Sequence, residues 1–202
     1  HAGAGMYADT AALNLTGGTI AENDAVGDGG GLRADNCTIA LDGVTIRANT
    51  TQGNGGGVCA GSDTFMQGAH LELTGGEISY NKALYGGGAA VYAVGSGSTA
   101  SEQNTAVVMK GSFVLSHNSA NKTGNGMYIE AKSASQSHTL VTLGGAARID
   151  TSNPVYFEEI GANQVPILVE SSLTTAGTAA IFEFSDAFWA GSHSGYGYAS
   201  AG

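Results

Sequence analysis

The chain has 202 residues, in which seven lysines and arginines stand against seventeen aspartates and glutamates, giving a net charge of −10. This acidic balance argues against a nucleic acid or an anionic membrane as the partner. No apolar run approaches the ~20 residues of a membrane-spanning helix, so we expect no membrane insertion within this chain.

A repeated phrase begins near residue 5 and recurs along most of the chain. Each copy combines a glycine-rich turn, a short apolar strand and a second strand with alternating residues. Glycine triplets stand at residues 29–31, 55–57 and 86–88. Repeats of this length indicate a solenoid, and spacing that grows while the landmarks persist indicates coils with loops of variable length.

Within each copy the apolar residues alternate with polar ones. Leu13 and Leu15 flank Asn14, and Leu71 and Leu73 stand in the same relation further along. A period of two with one buried face predicts β-strands, and helical spacing is hardly visible. One copy cannot bury its apolar face alone, so we expect the copies to stack on one another.

Asparagines recur at the end of the second half of each copy. Asn23, Asn49 and Asn81 each lie three residues after an isoleucine, and Asn118 lies four after Val114. In stacked coils such side chains lie about 4.8 Å apart and their amides can bond along the stack. The pattern predicts an internal asparagine ladder, and the alternative is a set of polar residues that line a site.

The combination of Ile-x-x-Asn-x-Ala, a glycine triplet and an apolar pair resembles the repeats of bacterial surface proteins. The matching pieces are residues 55–58, 75–78 and 81–83. They are similar to right-handed parallel β-helix repeats in cell-surface proteins of gut Firmicutes. They also resemble the GGA(I/L) and FxxN repeats of the polymorphic outer-membrane proteins of chlamydiae. The resemblance implies an all-β fold, a right-handed parallel β-helix of about five to six coils.

We predict a β-helix domain over residues 1–190, closed by one or more capping strands, and a Gly/Ser-rich tail over residues 191–202. Residues 180–184 are the predicted final strand, and Phe188 and Trp189 are suited to cap the exposed end of the core. The chain shows no secretory signal, so we take it as a mature or excised piece.

The resemblance implies a secreted protein displayed on the bacterial cell surface, where it acts as a non-enzymatic binding or stalk module of an adhesin. Its partner would be a glycan or a host surface protein. One alternative is a structural spacer or a fibre-forming subunit. The other is a polysaccharide-active lyase or glycosidase, for which Asp42 and Glu72 are predicted to lie on one face of neighbouring coils. No catalytic motif unites the charged residues, so we expect no enzyme.

Three segments interrupt the repeat, at residues 60–70, 93–106 and 131–138. Each follows the first strand of a copy, so we predict that all three leave the stack at one corner and form a binding face. The alternative is a set of flexible solvent loops.

Outward positions on the first strand of each copy include three tyrosines, Tyr7, Tyr92 and Tyr128, together with Arg33 and Cys59. Tyrosine rings with polar tips are suited to stack on sugars, so we predict these three as ligand-binding residues. Tyrosine is also common on exposed strand faces, which is the alternative.

Asp24 and Asp28 lie in a glycine-rich turn and are the candidate ligands for Ca²⁺, a cation that needs several oxygens. The alternative is a solvated acidic rim, and we expect no other cofactor. Counting along the strands places Cys37 inward and Cys59 outward, so we expect two free thiols.

Overall fold

The structure is a computed structural model that describes residues 5–9, 12–35, 37–61, 70–92, 105–131, 139–160, 165–169 and 180–185. These ranges contain β-strands and no helix, so no helix in them could cross a membrane. The prediction of an all-β protein is confirmed. The predicted tail and the two aromatic residues of the predicted cap lie outside the described residues.

The described strands form four sheets. Sheet I contains β1 (Met6–Asp9), β5 (Leu32–Asp35), β9 (Val58–Ala60), β13 (Ala89–Tyr92), β17 (Met127–Ala131), β20 (Val155–Ile160) and β22 (Phe182–Phe184). Sheet II contains β2 (Ala12–Thr16), β6 (Thr38–Asp42), β10 (His70–Thr74), β14 (Thr105–Lys110), β18 (Thr139–Leu143) and β21 (Val165–Val169). Sheet III contains β3 (Thr19–Ala21), β7 (Thr45–Arg47), β11 (Glu77–Ser79), β15 (Val114–Ser116) and β19 (Arg148–Ile149). Sheet IV contains β4 (Asp24–Ala25), β8 (Thr50–Thr51), β12 (Lys82–Ala83) and β16 (Ser119–Ala120).

The chain visits sheets I to IV in turn, first through β1–β4 and then again through β5–β8, β9–β12 and β13–β16. We call each such passage a layer. All described strand pairs are parallel and join one layer to the next. Parallel strands in stacked sheets of this kind are compatible with a β-helix or another solenoid.

The main core lies inside the stack and consists of columns of equivalent apolar residues. One column in sheet II contains Leu13, Ile39, Leu71, Val107, Val141 and Ile167. The side chains of Ile39, Leu71, Val107 and Val141 are fully buried. Because burial of one such side chain contributes about 1.5–3 kcal/mol, the period-two pattern fixes which face of each strand points inward.

The glycine triplets lie where the backbones of successive layers approach closely. Gly55, the first of its triplet, has a φ of 69°, which favours glycine. A Cβ atom on Gly57, the third, would lie 2.6 Å from the carbonyl oxygen of Gly88 and 3.0 Å from the side-chain nitrogen of Asn81. The triplets therefore combine a left-handed turn residue with residues that leave no room for a side chain.

The asparagines form a continuous row along the stack. Nδ2 of Asn23 donates to Oδ1 of Asn49 over 2.8 Å, and the same bond measures 3.0 Å from Asn49 to Asn81 and from Asn81 to Asn118. Asn118 donates in turn to Asn153 over 3.0 Å. Asn153 was not among the predicted members. It follows Ile149 by four residues, whereas Asn118 follows the aligned Leu115 by three.

Candidate functional site

The three segments that interrupt the repeat all join sheet I to sheet II. They lead from β9 to β10, from β13 to β14 and from β17 to β18. These strands are neighbours within their sheets, so the segments leave and re-enter the stack along one corner, as predicted. Residues 62–69, 93–104 and 132–138 lie outside the described residues.

The three predicted tyrosines do not form a shared platform. Tyr7 is 52% exposed, but Tyr92 and Tyr128 are only 4% and 7% exposed, so little of these two rings is accessible to a sugar. The register aligns Tyr7 with Arg33 and Tyr128 with Ala90, which places Tyr92 two residues beyond the predicted column. Tyr7 and Tyr128 lie four strands apart in sheet I, a separation of roughly 19 Å.

The two buried tyrosines belong to a second, smaller apolar cluster on sheet I, which we call the outer cluster. It consists of Cys59, Ala90, Tyr92 and Tyr128, with Tyr85 and Tyr156 packed against it. The ring of Tyr128 lies 5.2 Å from that of Tyr85 and 6.1 Å from that of Tyr156. The hydroxyl of Tyr92 accepts a hydrogen bond of 2.7 Å from Nδ2 of Asn54. Burial raises the pKa of both Tyr92 and Tyr128 above the ordinary range, so both phenols stay neutral.

A buried ion network borders the outer cluster. Arg33 is 4% exposed, and its Nη1 lies 2.6 Å from Oδ2 of Asp28 and 3.3 Å from Sγ of Cys59. Its Nε donates to Oδ1 of Asp35 over 2.7 Å. The other oxygen of Asp28 accepts the backbone N–H of Asn54 over 2.8 Å. A guanidinium that is removed from water needs such paired carboxylates, so this network holds the turn before β5 against the sheet.

The network uses one of the two predicted calcium ligands. Both oxygens of Asp28 are engaged within it, whereas Asp24 is exposed on β4. Within the described ranges, no group of three or more His, Cys, Asp or Glu residues could hold a metal ion.

Both cysteines are buried and free. Cys37 lies in the main core and Cys59 in the outer cluster, so they point to opposite faces as predicted. Burial raises the pKa of Cys59 to about 12, which keeps its thiol protonated and unreactive at neutral pH.

The predicted carboxylate pair lies on sheet II. Glu72 aligns with Ala40 and Asp42 with Thr74, so the two carboxylates are diagonal neighbours on one face. The carboxylate of Glu72 forms an ion pair with the ammonium group of Lys110 in the next layer. Asp42 is exposed. One member of the pair is therefore already bound by a cation.

An aromatic pair that sequence reasoning missed lies at the corner between sheets III and IV. The rings of Tyr80 and His117 are 4.8 Å apart between centroids, with their planes 12° from parallel. Both residues have a φ of 55° and directly precede a ladder asparagine. Tyr80 is 61% exposed. The sequence contains a signal for this stack, because Tyr80 and His117 each directly precede an asparagine of the predicted ladder.

Comparison with protein-family models, with curated proteins and with solved structures finds no match for this chain. The resemblance to the β-helix repeats of bacterial surface proteins rests on the repeat residues alone and stays a prediction.

Proposed function

We propose that the chain is a right-handed parallel β-helix of about five to six coils. Its repeated passage through the same parallel sheets supports this fold, and the six strands of sheet II support the number of coils. Connections between parallel strands of one sheet are right-handed in about 98% of cases, which supports the hand.

We propose further that this β-helix is a non-enzymatic binding module of a bacterial cell-surface adhesin, with a glycan or a host surface protein as its partner. The observation that carries the proposal is the corner between sheets I and II, from which all three inserted segments emerge. Binding residues are disproportionately found on loops that a rigid scaffold positions, and insertions in solenoids often mark the binding face.

The strand ends beneath this corner support the proposal because they are firmly held. Tyr92 is the last residue of β13, and it is buried and hydrogen-bonded to Asn54 directly before the second segment begins. Ala60, the last residue of β9, is fully buried. A loop whose ends are fixed loses less conformational entropy on binding, which favours affinity.

The proposal is tested by retention of the purified chain on immobilised mucin and on insoluble polysaccharides, with mass spectrometry of any released material. In the test variant, residues 62–69 of the first inserted segment, which include Phe65 and Met66, are replaced by a Gly-Ser linker of the same length. The matched control is Ser112→Ala, a change in an exposed turn between sheets II and III. We expect the linker variant to lose roughly tenfold in retention and the control to bind like the original chain.

Three results would contradict the proposal. Shortened or unsaturated sugars among the released products would identify an enzyme. Equal retention of the linker variant and the original chain would show that the binding surface lies outside this corner. The absence of retention on every glycan, and on host-cell surface proteins tested in the same way, would favour the structural spacer.

A further inference from the structure

We propose that the corner between sheets III and IV holds a second carbohydrate subsite, a slot beside Tyr80 that takes the neutral pyranose ring of a glycan. The inference rests on the proposed glycan binding and assigns it a sugar class and a further set of residues. The slot lies away from the corner that carries the inserted segments.

Among the residues that the structure describes, His117 is the one aromatic neighbour of Tyr80, so the other face of the Tyr80 ring borders an open slot. His117 covers the face toward β15 at 4.8 Å, yet Tyr80 remains 61% exposed. On the opposite side, toward β7, the equivalent position is Ala48, whose methyl group is too short to cover a ring. The next position along, toward β3, is Glu22.

The size of the slot matches one sugar ring. Tyr80 and Glu22 directly follow β11 and β3 of sheet III, and these strands lie two strand spacings apart, which is about 9–10 Å. A ring packed on Tyr80 in van der Waals contact, about 4 Å away, fits in this gap above Ala48. The C–H groups on one face of a pyranose are apolar and are suited to pack on an aromatic ring.

The slot is bordered by charged groups of both signs. Arg47 is exposed in the layer of Ala48, and Lys82 is exposed in the layer of Tyr80. Glu22 and Asp24 are exposed in the layer of β3 and β4. In the part of the chain that the structure describes, none of these four side chains forms an ion pair. Ammonium and guanidinium groups donate hydrogen bonds and carboxylates accept them, so together they can serve the hydroxyl groups of a sugar.

The charge balance favours a neutral sugar over an acidic one. Two cations and two carboxylates border the slot. The cations would attract a ring that carries a carboxylate or a phosphate, but the carboxylates would repel it. A neutral polyhydroxylated ring avoids that repulsion and uses all four groups.

The asparagine ladder holds the slot in one shape. The backbone N–H of Asn49, the residue after Ala48, donates to Oδ1 of Asn81 over 2.9 Å. The backbone N–H of Asn81, the residue after Tyr80, donates to Oδ1 of Asn118 over 3.0 Å. A site whose backbone is already fixed loses little conformational entropy when a ligand binds.

The test is a nuclear magnetic resonance titration that follows the ring signals of Tyr80 and His117. The probes are methyl β-D-glucopyranoside and methyl β-D-galactopyranoside, added up to about 50 mM because one sugar ring binds weakly. We expect saturable shifts of the ring signals of both residues.

Two variants test the slot directly. Ala48→Phe fills the slot and leaves Tyr80 in place, and Tyr80→Asn replaces the ring with a residue that tolerates positive φ. Each variant should weaken binding roughly tenfold or more.

The matched control is Leu168→Ala, which removes an exposed apolar side chain on sheet II, away from the slot, and should leave the titration unchanged. Unshifted ring signals with both glycosides would overturn the proposal, as would full binding by Ala48→Phe. Methyl β-D-glucuronide or adenosine monophosphate binding more tightly than the neutral glycosides would overturn the assignment of a neutral sugar. The ring signals report this slot alone, so their outcome is separate from the retention experiment on the inserted segments.

Discussion

Asn81 shows at the scale of a single residue how one side chain joins three layers. Its Nδ2 donates to Oδ1 of Asn118 over 3.0 Å and to the carbonyl oxygen of Ile46 over 2.9 Å. Its Oδ1 accepts both the backbone N–H and Nδ2 of Asn49. Asn81 is 1% exposed, so none of these partners has water as a substitute.

Replacing Asn81 with alanine therefore leaves several buried polar groups without partners. Each such group costs about 1–3 kcal/mol, so we expect Asn81→Ala to lower the free energy of unfolding by about 3–5 kcal/mol in urea denaturation. Asn121→Ala is the control, because Asn121 is exposed, and it should change stability by less than about 0.5 kcal/mol. Equal midpoints for the two variants would show that the ladder adds no stability.

The closing turn at residues 150–153 shows at the scale of an element how a carboxylate orders a corner. Oδ1 of Asp150 accepts the hydroxyl of Ser152 over 2.6 Å and its backbone N–H over 2.9 Å. These hydrogen bonds lower the pKa of Asp150 below its ordinary value. The ionised carboxylate is therefore the form that the folded turn prefers.

This preference makes the turn sensitive to acid. Because the folded pKa is lowered, the contribution of Asp150 is complete above the unfolded pKa of about 3.9 and is lost as pH falls through the folded value. We expect the difference in unfolding free energy between the original chain and Asp150→Asn to be constant above about pH 5 and to shrink below about pH 4. Ser152→Ala, which retains the backbone bond, should show part of this pH dependence. A difference that stays constant down to pH 2 would contradict the assignment.

The glycine turns allow a second prediction at the same scale, because two glycines are required for different reasons. Gly17 has a φ of 67° with open space around it, whereas Gly57 has the carbonyl oxygen of Gly88 at 2.6 Å from its would-be Cβ. Gly17→Ala should cost about 1–2 kcal/mol from backbone strain alone. Gly57→Ala has to separate two layers, so we expect a larger loss of thermal stability. Similar melting temperatures for the two variants would show that the layers can move apart easily.

At this scale the sequence was most informative about what recurs locally. The alternation of Leu71 and Leu73 and the placement of Asn49 and Asn81 were predictable, because the strand period and the repeat act within a few residues. The burial of Tyr92 was not predictable, because alternation indicates which side of a sheet a residue faces but not which residues cover that side.

The candidate site was less predictable for the same reason. The pairing of Arg33 with Asp28 and Asp35 and the stack of Tyr80 on His117 depend on which side chains meet between layers. That information lies in the exact register of distant strands, and a shift of one residue changes the face of every side chain.

Stability is expected to be uneven along the whole molecule, because each layer contacts only its neighbours. Among the described strands, β2 pairs only with β6, whereas β10 pairs with both β6 and β14. Leu13 and Leu15 of β2 are half-buried, and Leu71 and Leu73 of β10 are buried. In the 202-residue chain, we expect the amides of β2 to exchange with solvent roughly a hundredfold faster than those of β10. Hydrogen exchange measured by nuclear magnetic resonance tests this, and equal protection of both strands would indicate a single cooperative unit.

The asparagine row also gives the stack an electrical direction. Every side-chain amide from Asn23 to Asn118 donates toward the next layer, so the amide dipoles point the same way and polarise one another. The positive end of the row is at Asn153, whose Nδ2 donates to the hydroxyl of Ser152, which donates in turn to the carboxylate of Asp150. The row of dipoles thus ends on a negative charge, as the N-terminus of a helix favours an acidic side chain.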